Sequence, residues 1–208
     1  MNTVLKVLNF RHACKKFDPE KKIPQEQLEE IMECARLSPT SFGIEAWKFL
    51  VIESDTLKQK IRPACWDQPQ ITDSSHVVII LSAPTLVNKD SEHVRQMFAR
   101  RGLDEETTNA YVQRYGDFHA NEVAPRMNEY AWCSKQCYIG LANIMTAAAA
   151  VNIDSCPIEG FDKNELEQAL ELATDKEQVS VVVALGYRAS EQPARFRRAA
   201  AEIIEYRS

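Results

Sequence analysis

Four cations near the two ends of the chain, Arg11 with Lys15 and Arg195 with Arg197, carry the first chemical signal. Arg11 and Lys15 are four residues apart, so a helix or helical turn points both the same way. Arg195 and Arg197 are two apart, which puts them on one side of an extended tail. Converging, the four would hold an anion, and the forked donors of arginine suit a phosphate. Charge pattern alone favours the plainer reading, a solvated surface face, so the phosphate reading needs support from elsewhere.

Other chemistries find less to build on. Six cysteines stand at 14, 34, 65, 133, 137 and 156. Cys133 and Cys137 would share a helix face, yet no CxxC pair or histidine cluster accompanies them, and zinc requires a full ligand set. They are expected as small core hydrophobes, with a cysteine-based metal or redox protein as the rival. The six glycines, at 43, 102, 116, 140, 160 and 186, cannot be assembled into G-x-G-x-x-G or G-x-x-x-x-G-K-[ST]. A bound phosphate would therefore rest mainly on side chains. No Ser-His-Asp or Cys-His constellation is visible.

The elements that must position these residues follow from periodicity. A short helix over 3–9 leads into the basic segment Arg11-His12-Ala13-Cys14-Lys15-Lys16. Pro24 opens a helix with Leu28, Ile31, Met32 and Ala35 on one face. Ser38-Pro39-Thr40-Ser41 ends it in a turn. Strands are predicted at 47–52, from Val77 to the stop at Pro84, at 153–158, and from Val179 through Tyr187 as a central strand. Helices are predicted over 55–65 and 163–172, and a long one from Pro125 to Val151, apolar nearly all round in its second half. Residues 90–118 are charged and helical and are expected as an exposed, mobile excursion. The alternating AEIIEY near the end is read as a patch for a sheet edge. Alternating strands and helices favour a layered sheet over a helical bundle.

Composition bounds the function. At 208 residues the chain suits one domain, expected to span 1–208. A net charge of −5 argues against a nucleic-acid binder. The apolar run of the long helix is interrupted by Asn143 and Asn152 and preceded by Lys135, too polar for a membrane span. The N-terminal segment has no apolar stretch followed by a small-residue cleavage site, so a cytoplasmic location is expected.

Several short stretches, taken in order, support the phosphate reading. They are R-H-A-C-K-K-F-D at 11–18, S-P-T-S at 38–41, W-K-F-L-V-I at 47–52, S-H-V-V at 75–78, P-I-E-G-F at 157–161, A-L-G-Y-R at 184–188 and R-F-R at 195–197. In this order and spacing the chain resembles the FMN-dependent nitroreductase family, most nearly its oxygen-insensitive NAD(P)H nitroreductase and dihydropteridine reductase branch. The resemblance is weakest across 85–125.

It implies an α+β fold: an α/β sandwich whose central, mostly antiparallel sheet is flanked by helices, dimeric through long helices, with the C-terminal tail exchanged. It also implies two FMN sites at the homodimer interface, with NADH or NADPH as electron donor and a small-molecule acceptor. Arg11, His12, Ala13 and Lys15 would bind the flavin, Arg11 at the phosphate and Lys15 near the ribityl chain and ring. Arg195 and Arg197 would complete the phosphate clamp. Pro39, Thr40 and Ser41 would reach the flavin from the partner subunit. Pro157, Ile158, Glu159 and Gly160 would pass beside the isoalloxazine, backbone N–H groups aimed at its reactive nitrogen.

Three positions depart from the family pattern. Ala13 stands in place of a serine, Glu45-Ala46 in place of Gln-Pro, and Gln70 where one branch has lysine; Gln68 and Gln70 would offer the flavin pyrimidine amide hydrogen bonds without charge. The implied activity is hydride transfer through bound flavin to a nitroaromatic, quinone, pterin or flavin by a ping-pong scheme. Flavin or enone reductases of the same fold, and a non-catalytic FMN-binding dimer, stay open.

Overall fold

The computed structural model describes residues 3–207. Strands β1 (Trp47–Ile52), β2 (His76–Ser82), β3 (Asp154–Ile158) and β4 (Gln178–Gly186) form one sheet in the order β1-β2-β4-β3. Every neighbouring pair is antiparallel. The two central strands are continuous apolar runs, as strands covered on both faces must be.

Side-chain alternation divides those runs between two cores. Val77, Ile79 and Leu81 of β2 face one core with Ile61, Ile71 and Leu166. Val78 and Ile80 face the other with Leu28, Ile31, Ile144 and Ala148. In β4 the alternation skips: Val179 and Val182 share the first core, Val181, Val183 and Leu185 the second. A bulge is the cause. Ile80 pairs with Val181 but Leu81 with Val179, leaving Ser180 as the extra residue. Truncating a fully buried residue such as Ile79 to alanine should cost about 2–5 kcal/mol.

On the second face lie α2 (Gln25–Arg36) and α7 (Glu129–Ala150). The first face is covered by α3 (Asp55–Ile61), α4 (Pro69–Asp73) and α8 (Lys163–Ala169). Local chemistry sets the ends. Ser54, Asn128 and Asp162 cap α3, α7 and α8 by accepting a backbone N–H three residues on. Pro63 opens a 3₁₀ turn through Cys65, so the helix predicted over 55–65 stops early at Ile61. The long helix starts at Glu129 and not at Pro125, because a π-helical turn occupies His119–Val123 and Asn128 supplies the cap.

Two expectations are corrected. The 90–118 segment is not an exposed excursion. It forms α5 (Glu92–Ala99) and α6 (Glu105–Phe118), which build a third core from Val94, Met97, Phe98 and Tyr115 against Ile44, Val87 and Trp132. The Tyr115 hydroxyl donates to the Val87 carbonyl at 2.6 Å, and Arg101 lies over the Phe98 ring at 5.0 Å. Its apolar residues are spaced among charges, which hides them from a run-based reading. The tail also departs from expectation: residues Ala200–Ile203 form the short helix α9, and AEIIEY joins no sheet within the described chain.

Five of the six cysteines are buried and Cys34 is exposed. Burial pushes the Cys65, Cys133 and Cys137 thiols up to about 12. Such thiols stay protonated at neutral pH, as packing residues do. Among the described residues no cluster fit for a metal ion occurs, and no helix is long and apolar enough to cross a membrane.

Candidate functional site

The N-terminal basic segment is stitched to the sheet's β3 edge. Ala13 bridges Ser155 in parallel, and Cys14 N–H donates to the Ser155 carbonyl at 3.0 Å. Phe17 bridges Arg188 just after β4. Helix α1 (Thr3–Phe10) therefore ends beside the chain's last segment. There Arg195 donates to the carbonyls of Leu8, at 3.0 Å, of Asn9 and of Arg11, closing the C-terminal end of that helix.

A cleft of about 330 Å³ results, lined by Arg11, His12, Ala13, Arg195, Phe196 and Arg197 among others. Burial, then the like charges of Arg195 and Arg197, pull the Arg11 pKa down. None of these three arginines pairs with a carboxylate among the described residues. Three uncompensated guanidiniums around one cleft disfavour one another and favour an anion. The tail around Arg195 and Arg197 is irregular, so their convergence comes from the Arg195 carbonyl contacts and not from a strand.

His12 lies at the base of this cleft, its Nδ1 buried without a hydrogen-bond partner and 3.6 Å from Asp154 Oδ1. Burial, then the charge of Arg188, lowers its pKa and favours the neutral ring. Asp154 is itself buried and held by Arg188, whose Nε donates at 2.8 Å. This support was not foreseen, although Asp154 sits in one predicted strand and Arg188 directly follows another; nothing in the sequence pairs them.

From the cleft the site continues along β3. Lys15 Nζ approaches Cys156 Sγ at 3.6 Å. Pro157 is half-buried, Ile158 turns into the first core, and Glu159 and Gly160 lie past the strand end. The Tyr138 hydroxyl of α7 donates to the Glu159 carboxylate. Gln68 Nε2 donates to the Gly160 carbonyl at 2.8 Å and to that of Cys65 at 3.0 Å. Gln70 is buried, and its Oε1 has no partner among the described residues.

Trp66, missed in the sequence, completes this end. It is 69% exposed, and it and Asp67 both take left-handed backbone, at φ 56° and 51°. Two consecutive non-glycine residues in that region carry strain that surrounding structure must hold. A Cβ on Gly160 would fall 2.7 Å from the Trp66 ring, so this glycine lets the indole lie against the loop. A tryptophan followed by the polar run Asp67-Gln68-Pro69-Gln70 was the available signal.

Arg11, His12, Ala13, Arg195 and Arg197 line the cleft, and Lys15, Pro157, Glu159, Gly160 and Gln68 follow it as a strip along β3; Ile158 turns into the first core, and Gln70 is buried in α4. Pro39, Thr40 and Ser41 stand apart. They follow α2 and are fastened to α7, with Ser41 N–H donating to Gln136 Oε1 at 3.0 Å and Asn143 Nδ2 donating to the neighbouring Ser38 Oγ at 2.7 Å. No hydrogen bond joins them to the strip among the described residues. Trp47 packs on the second core against Phe49, at 5.5 Å between rings.

The strip suits FMN by its donor set: arginines for a phosphate at one end, and a glycine-lined loop and an unpaired amide oxygen for a flat polar ring at the other.

The Nitroreductase family model matches residues 8–187. A Staphylococcus haemolyticus protein with the provisional name NAD(P)H nitroreductase is 42% identical, the match covering 98% of this chain and 97% of that one. A nitroreductase of Exiguobacterium sibiricum, solved in complex with FMN, superposes with a TM-score of 0.83 at 21% identity over 100% of this chain and 98% of that one. A gut-bacterial enone reductase of fatty acid saturation superposes at 0.83 and 19% identity, over 99% and 98%. The likeness to these two structures concerns the fold. The chain belongs to the nitroreductase family of oxidoreductases.

Proposed function

We propose that the whole chain serves as one FMN-binding unit, paired as a cytoplasmic homodimer, that moves electrons from NADH or NADPH to a small-molecule acceptor. The observation that carries this reading is the continuous strip from the uncompensated arginine cleft to the apposed loops at Gln68 and Gly160. Arg11, Arg195 and Arg197 would hold the phosphate, and its charge would offset the burial and like-charge penalty that Arg11 carries. Neutral His12 would add a directed hydrogen bond there. Lys15 would stand beside the flavin pyrimidine, and Gln70 Oε1 would accept from a ring N–H. Backbone N–H groups of Glu159 and Gly160 would line the ring edge.

When bound, FMN would supply the hydride chemistry, taking it from NADH or NADPH and passing the electrons to the acceptor in a ping-pong cycle. The protein's share is orientation and electrostatics. Trp66 would wall the place where nicotinamide and acceptor take turns, its exposed indole offering a flat apolar surface. Nitroaromatics and quinones suit that wall; enones and free flavins share its requirements.

The homodimer reading rests on apolar surface left uncovered. Helix α1 buries none of its residues, while Leu5 and Leu8 are exposed. An apolar groove between α1, α2 and α7 is lined by Val7, Leu37 and Ala147 among others. α7 shows Tyr138 and Ile139, and the tail shows Phe196 and Tyr206. A second copy would cover these faces and bring its own Pro39–Ser41 to the strip.

The visible spectrum of the purified protein is the test. A yellow sample that bleaches anaerobically with NADH or NADPH, and recovers its colour with menadione, a nitrofuran or an enone, supports the reading and ranks the acceptors. A colourless protein that takes up no FMN overturns it. Flavin that binds but stays oxidised under NADH and NADPH leaves a non-catalytic FMN-binding dimer.

A further inference from the structure

Lys15 presents a contrast to most of the chain's cations. Its ammonium makes a single hydrogen bond among the described residues, and the acceptor is a sulfur. That sulfur, Cys156 Sγ, is fully buried in the middle of β3 and in turn lies 3.7 Å from the Pro157 carbonyl, to which its S–H donates. Burial raises the Cys156 pKa against the opposing pull of Lys15, so the thiol is neutral and its lone pairs face the ammonium. Two features fix the geometry. The Ala13–Ser155 bridge sets the register that puts Lys15 beside Cys156. The Cys14 S–H donates to the Lys16 carbonyl at 3.2 Å, steadying the backbone on either side of Lys15.

A neutral thiol is a poor acceptor, worth less than an oxygen and far less than a carboxylate. It can orient an ammonium without neutralising it. A carboxylate at 156 would orient Lys15 and cancel its charge, and an alkyl group would leave the long, rotamer-rich side chain undirected.

We infer that Cys156 is a positioning residue that aims the Lys15 ammonium at the flavin ring while leaving its charge unspent. The inference rests on the FMN reading above, because Lys15 matters to reduction only if the flavin lies there. Reduction places negative charge on the flavin pyrimidine, so an aimed cation favours the reduced form over the oxidised one. Cys156 would thus act on the flavin's redox balance through Lys15, without touching the ring.

The experiment compares Cys156→Ala with Cys156→Ser, which differ in whether an acceptor remains, and adds Lys15→Met in each background. In the flavin-free protein, acylation of Lys15 by an amine reagent, followed by peptide mass spectrometry, reads the contact itself. It should quicken about threefold in Cys156→Ala, the size of a weak hydrogen bond, and hold near the wild-type rate in Cys156→Ser. In the FMN-loaded protein, potentiometric titration should show the preference for reduced over oxidised flavin falling about threefold in Cys156→Ala and preserved in Cys156→Ser.

In the Lys15→Met background, Cys156→Ala should have no further effect on the potential. A Cys156→Ala shift that persists without Lys15 overturns the inference, as does an Ala variant matching wild type in both measurements. If Cys156→Ala does not fold, Cys156→Val is used in its place with the same criteria. Should the wild-type chain take up no FMN, the functional reading fails, while the acylation rates still decide whether Cys156 holds Lys15.

Discussion

The Gln68 side-chain amide donates to the Gly160 carbonyl at 2.8 Å, binding the loop before α4 to the loop after β3 across ninety-two residues of sequence. Gly160 permits this closeness, since a Cβ there would come within 3.2 Å of Gln68 Nε2 and nearer still to the Trp66 ring. Gly160→Ala should therefore push the two loops apart and leave the sheet intact. A loss of FMN affinity of about tenfold, or 1.4 kcal/mol, is expected by fluorescence-quench titration, with the circular dichroism spectrum unchanged. Unaltered affinity would remove these loops from the flavin site.

The two tail arginines should separate on mutation. Arg197 hydrogen-bonds only the neighbouring Phe196 carbonyl within the described chain, so Arg197→Ala should spare the fold. It should weaken FMN binding by about 1.5–3 kcal/mol, roughly 10- to 100-fold. Arg195→Ala should weaken binding and also lower the melting temperature of the flavin-free protein, because Arg195 closes the end of α1. Ala13→Ser should tighten binding by about 0.5–1.5 kcal/mol if the new hydroxyl reaches the phosphate.

Gln70 carries an unpaired oxygen in a buried position, which costs stability until a donor arrives. Gln70→Leu should leave the flavin-free protein as stable as wild type or more so, yet bind FMN less tightly. Thermal unfolding with and without FMN measures both effects; parallel losses in the two states would mean that Gln70 is structural. Gln70→Lys should raise the midpoint potential, with a tenfold change in binding preference equal to about 30 mV.

Two histidines, half-buried His12 and buried His76, set a limit toward acid. Burial lowers the pKa of His12 and of His76, the latter against a smaller opposing effect of Glu53. Unfolded imidazoles protonate near pH 6.5, above the folded ones, so the unfolded state binds more protons in that window. Stability should be fully present above about pH 6.5 and decline as pH falls through the folded values, by at most about 1.4 kcal/mol per pH unit for each histidine. His76→Gln should flatten part of that decline in denaturant titrations between pH 7 and 5, a range of about two units.

The exposed apolar faces of α1 and α7 predict the assembly. Leu5→Asp and Ile139→Asp should each yield a monomer by light scattering, since a charge buried at an interface core is costly. Flavin should be lost with the dimer. A wild-type monomer fully loaded with FMN at micromolar concentration would contradict the shared-site reading.

The apolar runs of β2 and β4 and the helical face of Leu28, Ile31 and Ala35 were legible in the chain, because local composition and spacing dictate them. The expected pairing of Arg11 with Lys15 on a helical turn and of Arg195 with Arg197 on a strand did not hold: both segments are irregular, the three arginines line the cleft, and Lys15 turns to Cys156. The short motifs in order carried the family, and the strands fell within a residue or two of their predicted bounds. Other features depended on tertiary structure. The third core around Phe98 and Tyr115 uses apolar residues scattered among charges, which only packing against Ile44 and Trp132 brings together. The Asp154–Arg188 support of His12, the Lys15–Cys156 contact and the left-handed Trp66 are long-range or strained. Local propensity is blind to each, since their energy comes from partners brought close by the folded sheet and its loops and not from neighbours along the chain.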